Sequence, residues 1–118
     1  MRAIRGATQL GADDSSEMVE ATVELLQQML DRNSLSADEL ISVIFTATPD
    51  LVCGFPAAAA RDIGFGDVPL LCATEIDVAG APSRIIRVLM HADTDKPRDQ
   101  IQHVYLRGAE VLRQDLAQ

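Results

Sequence analysis

Residues 15–32 read SSEMVEATVELLQQMLDR, and this stretch decides the fold. Apolar side chains and one threonine recur through it at helical spacing, which predicts one long amphipathic helix on the positions Met18, Val19, Thr22, Val23, Leu26, Met29 and Leu30. Ser15 or Ser16 is predicted to cap this helix, with Glu17 and Glu20 in its first turn. A helix with one apolar face has to bury that face against another element, which the remaining sequence must supply.

The remaining chain predicts a mixed sheet of about five strands, so that the fold class is α+β. The strands are expected at residues 2–10, 40–48, 69–78, 84–90 and 104–113. Short helical turns are expected after the Ser36–Glu39 capping box, over residues 55–64 and over residues 95–103. Because one long helix covers only one face of a sheet, the other apolar face is expected to pack against another subunit.

The composition limits the kinds of partner that the chain can bind. Its 118 residues include 18 acidic and 10 basic side chains, and the net charge of −8 disfavours generic binding to nucleic acid or to an anionic membrane. Nine of the basic residues are arginines, whose planar guanidinium groups bind carboxylates through two parallel hydrogen bonds. No apolar run approaches the ~18 residues of a membrane span, and no secretion signal is recognised. We therefore expect a single domain in the cytoplasm.

Motifs for covalent, metal or cofactor chemistry are lacking in the sequence. Cys53 and Cys72 are too isolated for a disulfide framework or a zinc cluster. His91 and His103 have no spacing typical of metal ligands. The Gly64-Phe65-Gly66 segment lacks the third glycine of a phosphate-binding loop. We predict neither a metal nor a cofactor.

Charged residues inside apolar strands are the candidates for function. Arg87 interrupts the most apolar strand, and alternation places it on the same face as Ile85 and Leu89. A buried arginine has to be paired, so Arg87 forms either a structural salt bridge or an anion site. Glu75 either pairs with Arg87 or accepts a hydrogen bond from a ligand hydroxyl. The other candidates, which all lie in predicted strands, are Arg5, Cys72 and Tyr105. This set of side chains suits the binding of a small, multiply charged anion.

Seven short fragments resemble, in order and spacing, the monofunctional chorismate mutases of the trimeric pseudo-α/β-barrel class. They are RGAT at 5–8, ATPDL at 47–51, FPA at 55–57, Cys72 with Glu75, IRV at 86–88, HVYL at 103–106 and VLR at 111–113. The resemblance extends over nearly the whole chain. It implies one chorismate mutase domain over residues 1–118, a homotrimer whose three sheets form a barrel-like core, and active sites between adjacent subunits.

The resemblance also implies an activity and a role for each candidate residue. The activity is the rearrangement of chorismate to prephenate, on the route to phenylalanine and tyrosine, without a cofactor. Arg87 would stabilise the negative charge that develops on the ether oxygen, and Glu75 would accept from the ring hydroxyl. Arg5 and Tyr105 would hold a carboxylate. The remaining substrate-binding residues that the resemblance implies are Leu71, Cys72, Ala73, Thr74, Phe55, Ala57, Arg61 and Arg113, with Phe55, Ala57 and Arg61 expected across the subunit interface.

The chain departs from the family pattern at two positions, and two other functions stay open. Ala58 stands where a lysine often follows Phe-Pro-Ala, and Leu71 stands where a threonine often precedes the cysteine. We expect these departures to alter substrate affinity and to leave the chemistry intact. The other functions are a non-catalytic trimeric module that binds a small carboxylate for regulation, and a deaminase-like enzyme on a similar fold. Arg87 together with Glu75 favours the mutase, since a carboxylate-binding module has no need of an acid beside its arginines.

Overall fold

The computed structural model describes residues 1–112 and confirms a five-stranded mixed sheet packed on one long helix. The strands are β1 (Arg2–Gln9), β2 (Leu40–Ala47), β3 (Leu70–Thr74), β4 (Ile85–Ala92) and β5 (Val104–Leu106). The helices are α1 (Ser15–Arg32) and α2 (Pro56–Arg61). Short 3₁₀ turns occupy Ala37–Glu39, Arg98–Gln100 and Ala109–Leu112.

The strand order places the three longest strands at the centre of the sheet. The order is β3-β2-β4-β1-β5. β4 runs antiparallel to both β1 and β2, whereas β3 is parallel to β2 and β5 is parallel to β1. A parallel neighbour requires a crossover connection, and α2 lies in the connection from β2 to β3. The outer strands β3 and β5 are short, with 5 and 3 residues, so the centre of the sheet carries most of the pairing.

Helix α1 begins at Ser15, and its cap differs from the predicted one. The N-cap is Asp14, whose backbone is extended and whose carboxylate accepts a hydrogen bond from the Glu17 backbone N–H at 2.9 Å. The Glu17 carboxylate in turn accepts from the backbone N–H of Gly11 at 2.8 Å. The prediction of a cap at Ser15 or Ser16 is therefore wrong, because an aspartate one residue earlier takes the capping position.

Helix α1 covers one face of the sheet, and glycine allows it to approach closely. Its buried residues are Met18, Ala21, Thr22, Leu25, Leu26 and Met29. Val19, which was predicted to belong to the apolar stripe, is 45% exposed. A Cβ atom at Gly6 of β1 would collide with the sulfur of Met29, so only glycine fits beneath the helix at this point.

The opposite face of the sheet, called the open face below, is covered only in part by the described residues. It carries Arg5, Ala7, Ile44, Thr46, Leu71, Arg87 and Leu89. Leu112 of the last 3₁₀ turn packs with Ala7 and Ile85 in a small apolar cluster. Leu89, Ile44 and Leu71 are register partners across three strands, and Leu71 is 61% exposed. An apolar strip thus stays accessible on a single chain, which fits the predicted contact with another subunit.

The chain after β5 folds differently from the predicted extended segment. The strand ends at Leu106, and residues Ala109–Leu112 form a 3₁₀ turn. Arg107 adopts a left-handed backbone with φ of 57°. Its guanidinium pairs with Glu20 and Glu24 on α1 at 3.3 and 3.1 Å. The prediction of one strand to Arg113 is therefore wrong, because the strand ends before Arg107 and the following 3₁₀ turn packs against Ala7 and Ile85 of the sheet.

Two other predicted segments are shorter than expected. β3 ends at Thr74, whereas the predicted strand continued to Val78. The predicted helical turn over residues 95–103 is reduced to Arg98–Gln100. Within residues 1–112, no helix is both long and apolar enough to cross a membrane.

Candidate active site

A row of paired residues crosses the open face and brings candidate side chains together. Arg87 on β4 pairs with Ala7 of β1 on one side and with Thr46 of β2 on the other. Ala7 pairs in turn with Tyr105 of β5, and Thr46 pairs with Ala73 of β3. Directly paired residues project to the same face of a sheet. Chain segments far apart in sequence therefore present an arginine, a threonine and a tyrosine side by side.

Arg87 and Glu75 form an ion pair in this row. The Arg87 Nε lies 3.1 Å from Glu75 Oε2. Glu75 directly follows β3, and its backbone N–H donates to the Ala47 carbonyl at 2.9 Å, which extends the pairing with β2 by one residue. Of the two alternatives for Glu75, the structure therefore shows the contact with Arg87. It also shows that the Arg87 side chain is 49% exposed, whereas the sequence predicted a buried arginine.

Thr46 completes this cluster and was not identified from the sequence. Its hydroxyl donates a hydrogen bond of 2.7 Å to the same Glu75 oxygen, Oε2, that pairs with Arg87. Alternation in LISVIFTAT indicates that Thr46 shares a face with Ser42 and Ile44. The pairing with Arg87, however, depends on the register between β2 and β4, and that register cannot be read from either strand alone.

Arg5, Arg87 and Tyr105 line one cavity, called the arginine cavity below. Its volume is about 340 Å³, and its walls include Leu89 and Leu112. Among residues 1–112, Arg5 forms no ion pair, so its charge is available to a ligand. The structure thus brings together three of the predicted site residues and adds Leu112, which the sequence had not singled out.

A second cavity, called the Phe55 cavity below, holds another group of the predicted residues. Its volume is about 350 Å³, and Phe55, Cys72, Ala73 and Thr74 lie on its wall. Cys72 pairs with the buried Phe45 of β2, which places it on the helix side of the sheet. In a single chain Cys72 therefore lines a different cavity from Arg87. Phe55 is 73% exposed and is accessible to another molecule.

Three other predicted residues lie apart from the arginine cavity. The Ala57 side chain is buried in the main core, so it forms no pocket wall in the single chain. Arg61 is exposed in the last turn of α2 and lines neither cavity. Leu71 is exposed on the open face beside Ile44. Arg113 lies outside the described residues.

Groups for nucleophilic or metal chemistry are not assembled in residues 1–112. Burial and the neighbouring Asp13 carboxylate raise the pKa of the Cys53 thiol to about 11, which keeps it protonated and a poor nucleophile. No cluster of three or more metal-ligating side chains is found in the described part of the chain. The arginine cavity instead offers two guanidinium groups and a phenol, and the Glu75 carboxylate is paired with Arg87. These groups suit the binding and orientation of an anion that carries a hydroxyl group.

The neighbourhood of Arg5 includes a histidine that is held in its neutral form. The Arg5 backbone N–H donates to His103 Nδ1 at 2.9 Å, so the ring proton lies on Nε2. Partial burial of the ring, together with the positive charge of Arg5, lowers the pKa of His103. The residue therefore adds no positive charge to this side of the cavity at neutral pH.

Comparison with known proteins identifies the family. The family model described as chorismate mutase type I matches residues 1–116. The chain belongs to the type I chorismate mutases. This confirms the resemblance drawn from seven short fragments, and it confirms the predicted activity class, an isomerase of aromatic amino acid biosynthesis. It gives no support to the binding module or to the deaminase-like enzyme.

Two curated relatives that are also described as chorismate mutases align with this chain over almost their whole length. The chorismate mutase AroH of Thermus thermophilus is 50% identical over 117 residues, which cover 98% of this chain and 96% of the relative. The chorismate mutase AroH of Bacillus subtilis (strain 168) is 42% identical over 118 residues, covering 99% and 93%.

A solved structure agrees with the fold of the chain. The structure described as chorismate mutase from Clostridium thermocellum Cth-682 has a TM-score of 0.92 and 48% sequence identity. The alignment covers 94% of this chain and 99% of the other. The five-stranded sheet with its long helix is therefore the fold of a type I chorismate mutase.

Proposed function

We propose that the arginine cavity binds chorismate and rearranges it to prephenate. One observation carries this proposal: Arg5, Arg87 and Tyr105 line a single cavity, and Glu75 is ion-paired to Arg87. Chorismate is a dianion that also carries a ring hydroxyl and an ether-linked enolpyruvyl arm. Two cations, a phenol and a carboxylate acceptor are suited to hold a carboxylate, the ether oxygen and the ring hydroxyl of this molecule.

The reaction is an internal rearrangement in which all atoms are conserved. The ether C–O bond breaks while a C–C bond forms between the terminal carbon of the enolpyruvyl arm and the ring, and no proton or electron enters or leaves. A protein has two tasks in such a reaction. It holds the arm over the ring in the compact diaxial conformer, and it stabilises the charge of the transition state.

Arg5 and Tyr105 perform the first task in this proposal. Both line the arginine cavity, and Arg5 has no ion-pair partner among the described residues that would compete with a ligand. Its guanidinium binds a substrate carboxylate, and the Tyr105 hydroxyl donates a further hydrogen bond. Fixing a carboxylate at two points removes much of the freedom of the arm before the bond-breaking step.

Arg87 performs the second task. Negative charge accumulates on the ether oxygen as the C–O bond breaks ahead of C–C bond formation. A fixed cation next to this oxygen therefore stabilises the transition state more than the ground state. Glu75 contacts Arg87 at Nε, at 3.1 Å, and the terminal guanidinium nitrogens contact the ether oxygen in this proposal. Glu75 also accepts a hydrogen bond from the ring hydroxyl.

The complete site in this proposal is shared between subunits of a homotrimer. The open face exposes an apolar strip from Leu89 to Leu71, which supports burial against another copy of the chain. Phe55 and Cys72 line a different cavity from Arg5 and Arg87, which supports their contributing to the site from a neighbouring subunit. Arg61 would approach the site in the same way.

A cytoplasmic location belongs to the same proposal. Cys53 and Cys72 are free thiols in the structure. Free and partly accessible thiols are typical of proteins in a reducing compartment, where disulfides rarely persist.

The substitution Arg87→Lys tests the proposed mechanism. Lysine keeps the positive charge but cannot hold the guanidinium geometry, so we expect kcat to fall by at least ~10²-fold, as losing one well-placed oxyanion donor does elsewhere. The measurement follows the ultraviolet absorbance of chorismate, with acid conversion of the product to phenylpyruvate as a check.

A matched variant separates the role of Arg87 from a general effect of replacing arginine. Arg32→Lys makes the same change at the exposed end of α1, where the side chain contacts only Gln28 among the described residues. We expect wild-type turnover from it. An Arg87→Lys protein that rearranged chorismate at an undiminished rate would show that the charge on the ether oxygen is stabilised by another group.

A further inference from the structure

We propose that Thr46 is a positioning residue that sets the geometry of Glu75 and, through it, of Arg87. This inference rests on the roles proposed above for these two residues. Thr46 lines both the arginine cavity and the Phe55 cavity, and it belongs to neither the charged nor the aromatic groups of the site. Its position in the sheet and a single short hydrogen bond carry the argument.

Thr46 is held between the strands that supply the charged residues. It is the register partner of Arg87 on β4 and of Ala73 on β3. The next residue of β2, Ala47, accepts the backbone hydrogen bond from Glu75 at 2.9 Å. Backbone pairing therefore fixes the Thr46 Cα relative to both charged residues. Threonine is β-branched, so its hydroxyl has few rotamers from which to choose and a well-defined direction.

The hydrogen bond from Thr46 decides which oxygen of Glu75 remains free. The Thr46 hydroxyl has one proton, and it donates this proton to Glu75 Oε2 at 2.7 Å. Arg87 Nε contacts the same oxygen at 3.1 Å. The Thr46 hydrogen bond and the Arg87 ion pair both involve Oε2 and leave Oε1 as the acceptor for the ring hydroxyl of the substrate. They also leave the four N–H groups on the terminal nitrogens of Arg87 for the ether oxygen.

The ion pair needs this third contact because it is open to solvent. The Arg87 side chain is 49% exposed and the Glu75 side chain 16%. Ion pairs at such exposure are held weakly, and long side chains move among several geometries. Catalysis by restraint tolerates little of this motion, since a misplacement of about 1 Å costs roughly 10²-fold in rate. A hydroxyl fixed on a central strand restricts the carboxylate to one orientation and the guanidinium with it.

The test compares Thr46→Val with Thr46→Ser. Valine has the shape of threonine without the hydroxyl, and we expect it to lower kcat by roughly 10-fold to 10²-fold, with KM changed by less than about 3-fold. Serine retains the hydroxyl, and we expect its kcat to stay within about 3-fold of the wild type. A separation of this kind between kcat and KM, with rescue by serine, is not produced by a general loss of strand stability.

The matched control is Thr8→Val. Thr8 lies near the end of β1, is fully buried, and its hydroxyl has no hydrogen-bond partner among the described residues. The same chemical change there removes no contact, so we expect turnover to be unchanged. A loss of activity in Thr8→Val equal to that in Thr46→Val would overturn the inference, because it would show that any threonine-to-valine change in the sheet has this effect.

A second background shows whether Thr46 acts through Glu75. In a Glu75→Ala protein, assayed at high enzyme concentration, Thr46 has no carboxylate to orient, so we expect Thr46→Val to change kcat by less than about 2-fold. A full effect of Thr46→Val in this background would mean that Thr46 acts independently of Glu75 and would overturn the inference. An undiminished kcat in Thr46→Val, with Arg87→Lys and Glu75→Ala impaired, would overturn it and leave the proposed function standing. Full activity in Arg87→Lys and Glu75→Ala would instead remove the proposed mechanism, and the role of Thr46 with it.

Discussion

At the scale of single residues, the environment of His103 links the site to pH. Nδ1 of this ring accepts from the Arg5 backbone N–H, and the ring is partly buried. Burial first, and the charge of Arg5 second, lower the pKa of His103 below its ordinary value of about 6.5. The neutral ring is therefore part of the folded structure beside a residue that is proposed to bind substrate.

The lowered pKa of His103 predicts a pH dependence of stability. Just below pH 6.5 the unfolded chain binds a proton at this position more readily than the folded chain does. The free energy of unfolding therefore rises with pH in this window. The contribution is complete above about pH 6.5 and is lost as the pH falls through the lowered, folded-state pKa. We expect His103→Asn, whose amide oxygen replaces Nδ1 as acceptor, to flatten the change of Tm between pH 7 and pH 5. Thermal denaturation at several pH values measures this.

The other histidine provides the control for this experiment. His91 accepts or donates a hydrogen bond at Ser42 Oγ, 3.1 Å away, and lies on a different strand. The His91→Asn protein retains His103, so we expect it to keep the part of the pH dependence of Tm that is lost in His103→Asn. An unchanged slope in His103→Asn would show that other groups govern stability in this window.

At the scale of elements, helix α1 approaches strand β1 closely at a glycine. Gly6 lies beneath Met29 and Leu25, and a methyl group there would collide with the Met29 sulfur and come within 3.2 Å of Leu25 Cδ1. Both side chains are fully buried and have little room to move aside. We expect Gly6→Ala to destabilise the protein by about 1–2 kcal/mol. The shift of the urea midpoint measures this.

A glycine in an open loop is the natural comparison for Gly6. No heavy atom lies within 4 Å of a Cβ built on Gly66, and its backbone is outside the left-handed region. Gly66→Ala should therefore leave the urea midpoint unchanged or raise it slightly, because alanine restricts the unfolded chain. Equal midpoints for Gly6→Ala and Gly66→Ala would mean that α1 moves away from the sheet without cost.

The hydrophobic periodicity of the sequence predicted most of the helices and strands but placed several of their ends wrongly. Helix α1, β1, β2 and β4 were predicted because each carries a long apolar or β-branched pattern. The prediction for the segment after β5 was wrong because the strand ends before Arg107, whose backbone is left-handed. The Arg107 side chain pairs with Glu20 and Glu24 of a helix more than 80 residues earlier, a contact that the local pattern does not show. The cap of α1 was wrong because three adjacent polar residues compete for it, and sequence alone does not separate them.

The candidate site was predictable only as a set of residue types. A charge inside an apolar strand singled out Arg87, and a resemblance to a family supplied the roles. Thr46 was missed because its importance comes from the register that pairs it with Arg87 and from a contact with Glu75 beyond the end of β3. Register is set by the turns and by the packing of whole strands, so it is not contained in a nine-residue pattern.

At the scale of the whole molecule, placement matters more than net charge. The chain carries −8 overall, yet its proposed ligand is a dianion. Two of the acidic residues, Glu20 and Glu24, form ion pairs with Arg107 on the helix side of the sheet. Arg5 and Arg87 lie in a separate cavity on the open face. Local cations in a confined cavity dominate the field there, while distant surface charges are screened within about 8 Å at physiological salt.

The proposed division of the site between subunits predicts complementation. One variant, Arg87→Ala, is defective in the arginine cavity, and another, Phe55→Asp, places a negative charge in the Phe55 cavity. Each alone should be nearly inactive. When the two are mixed in equal amounts, unfolded in urea and refolded together, about a quarter of the sites should combine an intact arginine cavity from one chain with an intact Phe55 from its neighbour. Recovered turnover of chorismate, relative to refolded wild type, measures this fraction.

A second mixture distinguishes shared sites from simple refolding artefacts. Arg87→Ala and Glu75→Ala alter two residues that contact each other within one chain, 3.1 Å apart. No arrangement of these chains in a trimer supplies both residues to one site, so this mixture should remain as inactive as its parents. Recovery in both mixtures, or in neither, would contradict a site built from the arginine cavity of one subunit and the Phe55 of the next. Recovery in the first mixture alone requires that a site is shared between chains, because no single chain in that mixture holds a complete set.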